Sequence, residues 1–256
     1  MTPVVPVFHP RREARRAVKR GYPRRAGTVR LCRSVAAIER LLQQCLVDAI
    51  VLDVKAEPDA ARSLAQHYPA IPVFALSPFK PEDGNLVAGF LRAGVAGVLV
   101  EGVDNAVAGE WIAARTAQVG RRRALADAPG LLRLTDRLQL AAWDEVLRRV
   151  ATPLKTAHVA QALRVTREHL SRQFAAGGAP NLKRVIDLAR TACAADMLAN
   201  PGYTAGCVAR ILGYATPRHL AAAARRVAGA TVPELRELGP RGVLGRFLRG
   251  RTRSRV

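Results

Sequence analysis

The stretch TAHVAQALRVTREHLSRQF, residues 156–174, predicts two short helices joined by a tight corner. Val159, Ala160 and Leu163 recur at helical spacing, so they face the interior of the first helix. Thr166 then begins the second helix, because a threonine hydroxyl accepts a hydrogen bond from an otherwise free N–H of the first turn.

The second helix of this stretch has one apolar face and one polar face. Leu170 and Phe174 are four positions apart and therefore share a buried side. A short helix that is held by a corner and presents arginine, hydroxyl and carboxylate groups fits the major groove of DNA. The side chains expected on this outer face are Arg167, Glu168, Ser171 and Arg172.

The same pattern returns about fifty residues later in CVARILGYATPRHLAAAARRVAG, residues 207–229. Thr216 is the expected cap, and Pro217 occupies the first helical position, where its missing N–H costs nothing. Leu220 and Ala224 align with Leu170 and Phe174 of the first unit.

A long helix, predicted over residues 181–200, separates the two corners. The segment around it resembles the AraC-type DNA-binding domain through VAQALRVTREHLSRQF, GGAPNLKRVIDLAR with Arg190, ADMLA and VARILGYATPRHL. This resemblance implies two helix-turn-helix units joined by a linker helix, and we assign the domain to residues 138–240.

The resemblance also implies that both recognition helices enter successive major grooves on one face of DNA. For each arginine, reading of a base and contact with a phosphate are both open. For Arg172 we favour reading of a guanine. The candidate DNA-binding residues are Thr166, Arg167, Glu168, Ser171, Arg172, Arg218, His219, Arg225 and Arg226.

Two positions depart from the family pattern. Residues 221–224 are four alanines where Ser-Arg-x-Phe is usual, so we expect the second unit to contribute backbone contacts and weak base reading. Arg164 replaces a common glycine in the first corner. If that position needs a positive φ, a strain of roughly 1 kcal/mol follows.

Residues 1–119 have a different pattern, in which short apolar strands alternate with helices. Five such repeats predict an α/β domain with a five-stranded parallel sheet, closed by one helix over residues 105–119. The chain as a whole is therefore expected to be α/β plus all-α. In the α/β part, DAIVLDV (residues 48–54) is a buried strand that ends near Asp53.

This first domain resembles a response-regulator receiver, which is flavodoxin-like. Asp53 occupies the phosphoacceptor position, and Ser77 ends the fourth strand where a hydroxyl is usual. Receivers hold Mg²⁺ with two acidic residues after the first strand, but here that position reads His9-Pro10. Glu101 replaces the usual lysine. We therefore expect the site to be degenerate, and the domain to dimerise, dock a partner or control the second domain without phosphate.

The charge of the chain is positive and uneven. It has 41 basic and 20 acidic side chains, and residues 111–256 carry 26 basic and 9 acidic ones. Such a field favours a polyanionic partner. We interpret residues 120–137 as a basic linker and 241–256 as a basic tail, disordered or loosely helical, that touches phosphates or is only solvated. The basic first helix, 11–21, either adds DNA affinity or is a solvated face.

Together with these patterns, the resemblance to AraC-type regulators implies a bacterial transcription regulator that is cytoplasmic, nucleoid-associated and bound to double-stranded DNA, with homodimerisation through its first domain as one option. We expect no enzymatic activity, cofactor, metal ion or membrane span. Two alternatives stay open: a sequence-tolerant DNA-compacting or scaffold protein, and a phosphorylated response regulator.

Overall fold

The computed structural model describes residues 3–176 and 178–253. It divides into two units, which we describe separately: one reaches to Gly120 and includes the short segment 200–202, and the other contains the remaining residues from Arg121 onward. The expected fold class is confirmed, since the first unit is α/β and the second is all-helical. Within the described ranges, no helix is both long and apolar enough to cross a membrane.

Short apolar segments of the first unit form one parallel sheet, as expected for strands that are buried on both faces. The strands are β1 (Val4–Phe8), β2 (Thr28–Cys32), β3 (Ile50–Leu52), β4 (Val73–Ser77) and β5 (Gly97–Val100). Their order is β2-β1-β3-β4-β5, so the winding changes direction between β1 and β3. The carboxyl ends of these two strands border the crevice in which such folds place functional groups.

Helices cover both faces of this sheet. They are α1 (Arg12–Gly21), α2 (Val35–Gln44), α3 (Pro58–His67), α4 (Gly84–Arg92) and α5 (Ala108–Ala113). The prediction of one closing helix over residues 105–119 was wrong. The chain leaves α5 and begins α6 (Ala117–Ala124), because the N–H of Ala117 donates to the carbonyl of Asp48 at 2.7 Å instead of continuing the ladder of α5.

The second unit consists of helices throughout its described part. They are α7 (Ala128–Leu131), α8 (Arg137–Arg148), α9 (Thr156–Ala162), α10 (Arg167–Ala176), α11 (Leu182–Leu198), α12 (Ala205–Ile211), α13 (Pro217–Ala228) and α14 (Val232–Arg253). The central helix α11 buries the apolar stripe that the sequence predicts, including Val185, Leu188 and Ala192.

The segment interpreted as a linker, residues 120–137, contains most of α6 and all of α7. Its apolar side chains Leu125, Leu132 and Leu134 are buried. Part of its positive charge is also neutralised within the second unit, since Arg121 pairs with Asp196 at 3.0 Å.

Helix α14 extends through the segment that we expected to be a disordered or loosely helical tail. The chain is non-helical at Gly239, with φ 58° and ψ −177°, and becomes helical again from Pro240. Val243, Leu244 and Phe247 are buried, which explains why the second half of α14 packs against the domain. The end of the predicted tail, residues 254–256, lies outside the described residues.

Candidate nucleic-acid interface

The first corner is closed by backbone hydrogen bonds at the end of α9. The N–H groups of Arg164 and Val165 donate to the carbonyls of Gln161 and Ala160 at 3.1 and 3.0 Å. This geometry places Arg164 in the left-handed region, with φ +56°. The positive φ for which strain was predicted is therefore present, and a non-glycine residue occupies a strained position.

The second corner repeats this bonding at the end of α12. The N–H groups of Gly213 and Tyr214 donate to the carbonyls of Arg210 and Ala209 at 3.1 and 2.8 Å. Gly213 has φ +68°, and a Cβ atom there would lie 2.8 Å from Cγ of Pro153. Here a glycine is required, both by the backbone conformation and by the close contact.

Both recognition helices begin with the capping threonines that the sequence predicts. Oγ1 of Thr166 accepts from the N–H of His169 at 3.1 Å, and Oγ1 of Thr216 accepts from the N–H of His219 at 3.2 Å. Each bond satisfies one free N–H of a first turn. The two units therefore present α10 and α13 on equivalent backbones.

Helix α10 buries one face and exposes the other. Leu170 and Phe174 are each 1% exposed. Arg167 and Glu168 approach each other at 3.9 Å while both remain largely exposed, which leaves them available to a ligand. The exposed face contains all five residues predicted for the first unit, namely Thr166, Arg167, Glu168, Ser171 and Arg172.

Helix α13 exposes fewer groups that can read a base. The predicted residues Arg218, His219, Arg225 and Arg226 are at the surface. Arg226 is held by Asp187 of α11 at 3.1 Å. Between these residues the surface is alanine, since Ala222 is exposed and Ala223 and Ala224 are buried.

Two positioning residues were missed as such by the sequence analysis. The buried Gln139 of α8 donates from Nε2 to the carbonyl of Gln173 at 2.8 Å and so fixes the end of α10. Its Oε1 accepts from the N–H of Asp136 at 3.2 Å, which completes a capping box with Asp136, and also from the N–H of Thr135 at 2.9 Å. The spacing DRLQ at residues 136–139 is the sequence signal for this box.

The second positioning residue is Arg190 of α11, which the sequence indicated only as part of the family pattern. It donates from Nη2 to the carbonyl of Leu212 at 2.6 Å and lies 4.3 Å from the ring centroid of Tyr214. Burial raises the pKa of the Tyr214 hydroxyl, while the nearby guanidinium opposes that shift. Arg190 therefore fixes the second corner from beneath.

In the α/β unit, Asp53 is buried at the end of β3, and its Oδ1 accepts several hydrogen bonds. This oxygen accepts from Oγ of Ser77 at 2.5 Å and from the N–H groups of Lys55 and Ala56 at 3.0 and 3.3 Å. The structure thus brings together the two residues of the predicted degenerate phosphoacceptor site.

His9 lies between Asp53 and Glu101. Its Nε2 is 3.5 Å from Oδ2 of Asp53 and 3.6 Å from Oε2 of Glu101, and its Nδ1 accepts from the N–H of Arg11 at 3.1 Å. Burial lowers the pKa of His9, although the two carboxylates raise it. A neutral ring with its proton on Nε2 fits both observations.

Lys55, two residues after Asp53, is also paired. Nζ of Lys55 pairs with Oδ2 of Asp83 at 2.7 Å, and this hydrogen bond lowers the pKa of Asp83. Among the described residues, no group of three or more histidine, cysteine or acidic side chains is arranged to hold a metal ion.

Residues 159–237 match a family model described as a helix-turn-helix domain. The matched range begins inside α9, includes α10 to α13 and ends inside α14. This match supports a DNA-binding transcription regulator and agrees with the resemblance to AraC-type regulators. No curated protein and no solved structure gives a significant match to the chain.

Proposed function

We propose that this chain regulates transcription by binding duplex DNA through both helix-turn-helix units, and that α10 reads most of the sequence. The observation that carries the proposal is the repeated corner, in which equivalent hydrogen bonds and threonine caps present two recognition helices. Only α10 combines that frame with exposed arginine, glutamate and serine side chains.

Arg172 is the residue to which we assign the main base contact, as a bidentate donor to guanine. The preceding turn supplies Arg167 and Glu168, whose mutual approach at 3.9 Å is weak enough to be replaced by contacts with DNA. In α13, Arg218 and Arg225 are also exposed, but alanines occupy residues 221–224 between them, which favours phosphate contacts there.

The direct test is competition binding at about 150 mM salt between a duplex selected for binding from a random library and unselected random duplex DNA of equal length. A specific regulator prefers its site by about 10³-fold or more. Equal competition by the two DNAs would favour the alternative function, a sequence-tolerant DNA-compacting or scaffold protein. The net charge of +21 and the alanines of α13 support that alternative.

We further propose that the α/β unit does not act by phosphorylation. Receiver chemistry needs a Mg²⁺ ion held by hard oxygen ligands and a fixed cation near the phosphoryl group. The residues present do not fit that ion: His9 lies between Asp53 and Glu101, and the lysine nearest to Asp53 is paired with Asp83.

Intact-mass measurement after incubation with Mg²⁺ and acetyl phosphate tests this point. We expect no adduct in the wild-type chain. A stable phosphoryl adduct that is absent from the Asp53→Asn variant would instead establish a phosphorylated response regulator.

For the α/β unit we propose that it receives its signal by contact with another protein, either by homodimerisation or by docking of a partner. Sedimentation equilibrium of the full chain, with and without DNA, distinguishes a dimer from a monomer.

The cations of α1 support an added DNA contact, because Arg16, Lys19 and Arg20 line a groove of about 1080 Å³ beside β2. If these cations form only a solvated face, their replacement by alanine leaves DNA affinity unchanged.

A further inference from the structure

The end of α13 and the second half of α14 enclose a basic cavity of about 320 Å³. Its lining includes four arginines, two from each helix: Arg225, Arg226, Arg246 and Arg249. Arg246 and Arg249 lie beyond residue 237, where the match to the helix-turn-helix family ends. They were assigned only to a basic tail by the sequence analysis.

The positive charge of this cavity is only partly neutralised by the protein. Arg226 pairs with Asp187 at 3.1 Å. In the part of the chain that the structure describes, no carboxylate lies within 4.0 Å of the other three guanidinium groups. Glu234, at the start of α14, accepts at Oε2 from the N–H of Thr231 at 2.6 Å. The hydrogen bonds from Thr231 lower the pKa of Glu234, and the charge of Arg246 adds to that shift, so one carboxylate acts on this cluster from beyond contact distance. Guanidinium groups that outnumber the nearby carboxylates favour a bound anion, and their planar fork matches a phosphate.

The cavity lies at one end of the outer face of α13. Arg218, Ala222 and Arg225 are exposed and spaced by four and three residues, so they follow one line along the helix. Leu220, Ala224 and Val227 of the same helix are buried. A DNA duplex lying along this outer face would therefore bring its backbone to the arginines at the end of the helix.

Packing holds the two new arginines on a fixed helix. Val243 and Phe247 of α14 are 0% and 2% exposed, and Arg184 of α11 lies 5.0 Å from the ring centroid of Phe247. Because these apolar side chains anchor α14, the exposed Arg246 and Arg249 keep their position beside Arg225. A preformed site of this kind loses less conformational entropy on binding than a disordered tail.

We propose that Arg225, Arg246 and Arg249 form a phosphate clamp that binds the DNA backbone next to the second recognition helix. This inference rests on the proposed function and adds a contact that the helix-turn-helix match does not contain. The clamp replaces the missing base contacts of Ala221 and Ala222 with sequence-independent affinity.

The test is the full chain carrying Arg246→Ala and Arg249→Ala, measured by fluorescence anisotropy on cognate and random duplexes between about 50 and 200 mM salt. We expect affinity for both DNAs to fall by the same factor, on the order of tenfold, and the salt slope to fall by about 2, because each phosphate contact contributes ~0.9. Arg241→Ala is the matched control, because it removes a cation of the same helix that does not line the cavity.

A double variant with Arg246→Lys and Arg249→Lys separates loss of charge from loss of folding, and it should keep most of the salt slope. An unchanged slope in the double alanine variant, or a loss confined to cognate DNA, would overturn the clamp alone. If the wild-type chain bound neither DNA, the proposed function and the clamp would both be wrong.

Discussion

The two helix-turn-helix units have the same backbone arrangement and different side chains. Their corners use equivalent hydrogen bonds, and Thr166 and Thr216 cap the helices in the same way. The recognition helices differ at equivalent positions, since Ser171 and Arg172 of α10 correspond to Ala221 and Ala222 of α13. The frame that positions a recognition helix is therefore separable from the groups that read DNA.

The difference extends to the core beneath each helix. In α10, which packs against α8 and α9, the large side chain of Phe174 is buried, whereas α13 has a buried Ala224 at the equivalent position. Small residues allow close approach between helices, and α13 packs against both α11 and α14. The second unit thus exchanges an internal side chain for an additional helix, and that helix carries the arginines of the proposed clamp.

Removal of the Phe174 side chain should have the largest effect on stability. Phe174→Ala leaves a cavity in a fully buried site and should lower the free energy of unfolding by ~3–5 kcal/mol. Ala224→Gly is the matched change in α13 and should cost about 1 kcal/mol. Urea denaturation measures both. Equal losses would show that the two cores do not differ as the structure indicates.

The next largest effect is expected at the corners. Gly213→Ala adds a Cβ atom at positive φ and against Pro153, so it should destabilise the domain by about 2–4 kcal/mol. Arg164→Ala is the control, because that position already carries a Cβ atom, and its effect should be close to zero. Thermal and urea unfolding would contradict this difference if both changes had the same cost.

Arg172→Ala tests base reading in the first unit. We expect a loss of about 1–3 kcal/mol in binding free energy on cognate DNA and relaxed selectivity at one base pair. Arg172→Lys keeps the charge without the bidentate fork, so it should retain affinity for random DNA while losing selectivity. Equal losses on cognate and random DNA would reassign Arg172 to a phosphate.

The smallest effect is expected for Arg164→Gly. Glycine relieves the left-handed strain at this corner but increases the entropy of the unfolded chain, so the two contributions nearly cancel. The free energy of unfolding should change by less than about 1 kcal/mol. A loss of several kcal/mol would show that the Arg164 side chain stabilises the corner through a contact.

Local patterns predicted most of the frame, and contacts between distant residues account for what they missed. Threonine caps and apolar spacing were sufficient for both corners, because these features act within one turn of a helix. The helical second half of α14 was missed because Gly239-Pro240 indicates a stop, and the buried faces of Val243 and Phe247 depend on α11. Likewise, the resemblance to a receiver assigned His9, Asp53 and Glu101 to one site, but nothing within a few residues of His9 indicates that its Nε2 lies between the two carboxylates.

A base-by-base substitution scan of the bound DNA site most directly tests whether the first helix-turn-helix unit reads the sequence and the second mainly binds the DNA backbone. Each base pair of a selected site is replaced in turn, and the binding free energy of the full chain is measured at fixed salt. We predict one block of three or four base pairs in which each replacement costs about 1–3 kcal/mol, with small costs one helical turn (~34 Å) away. Two blocks of equal cost at that separation would contradict the division of roles between α10 and α13.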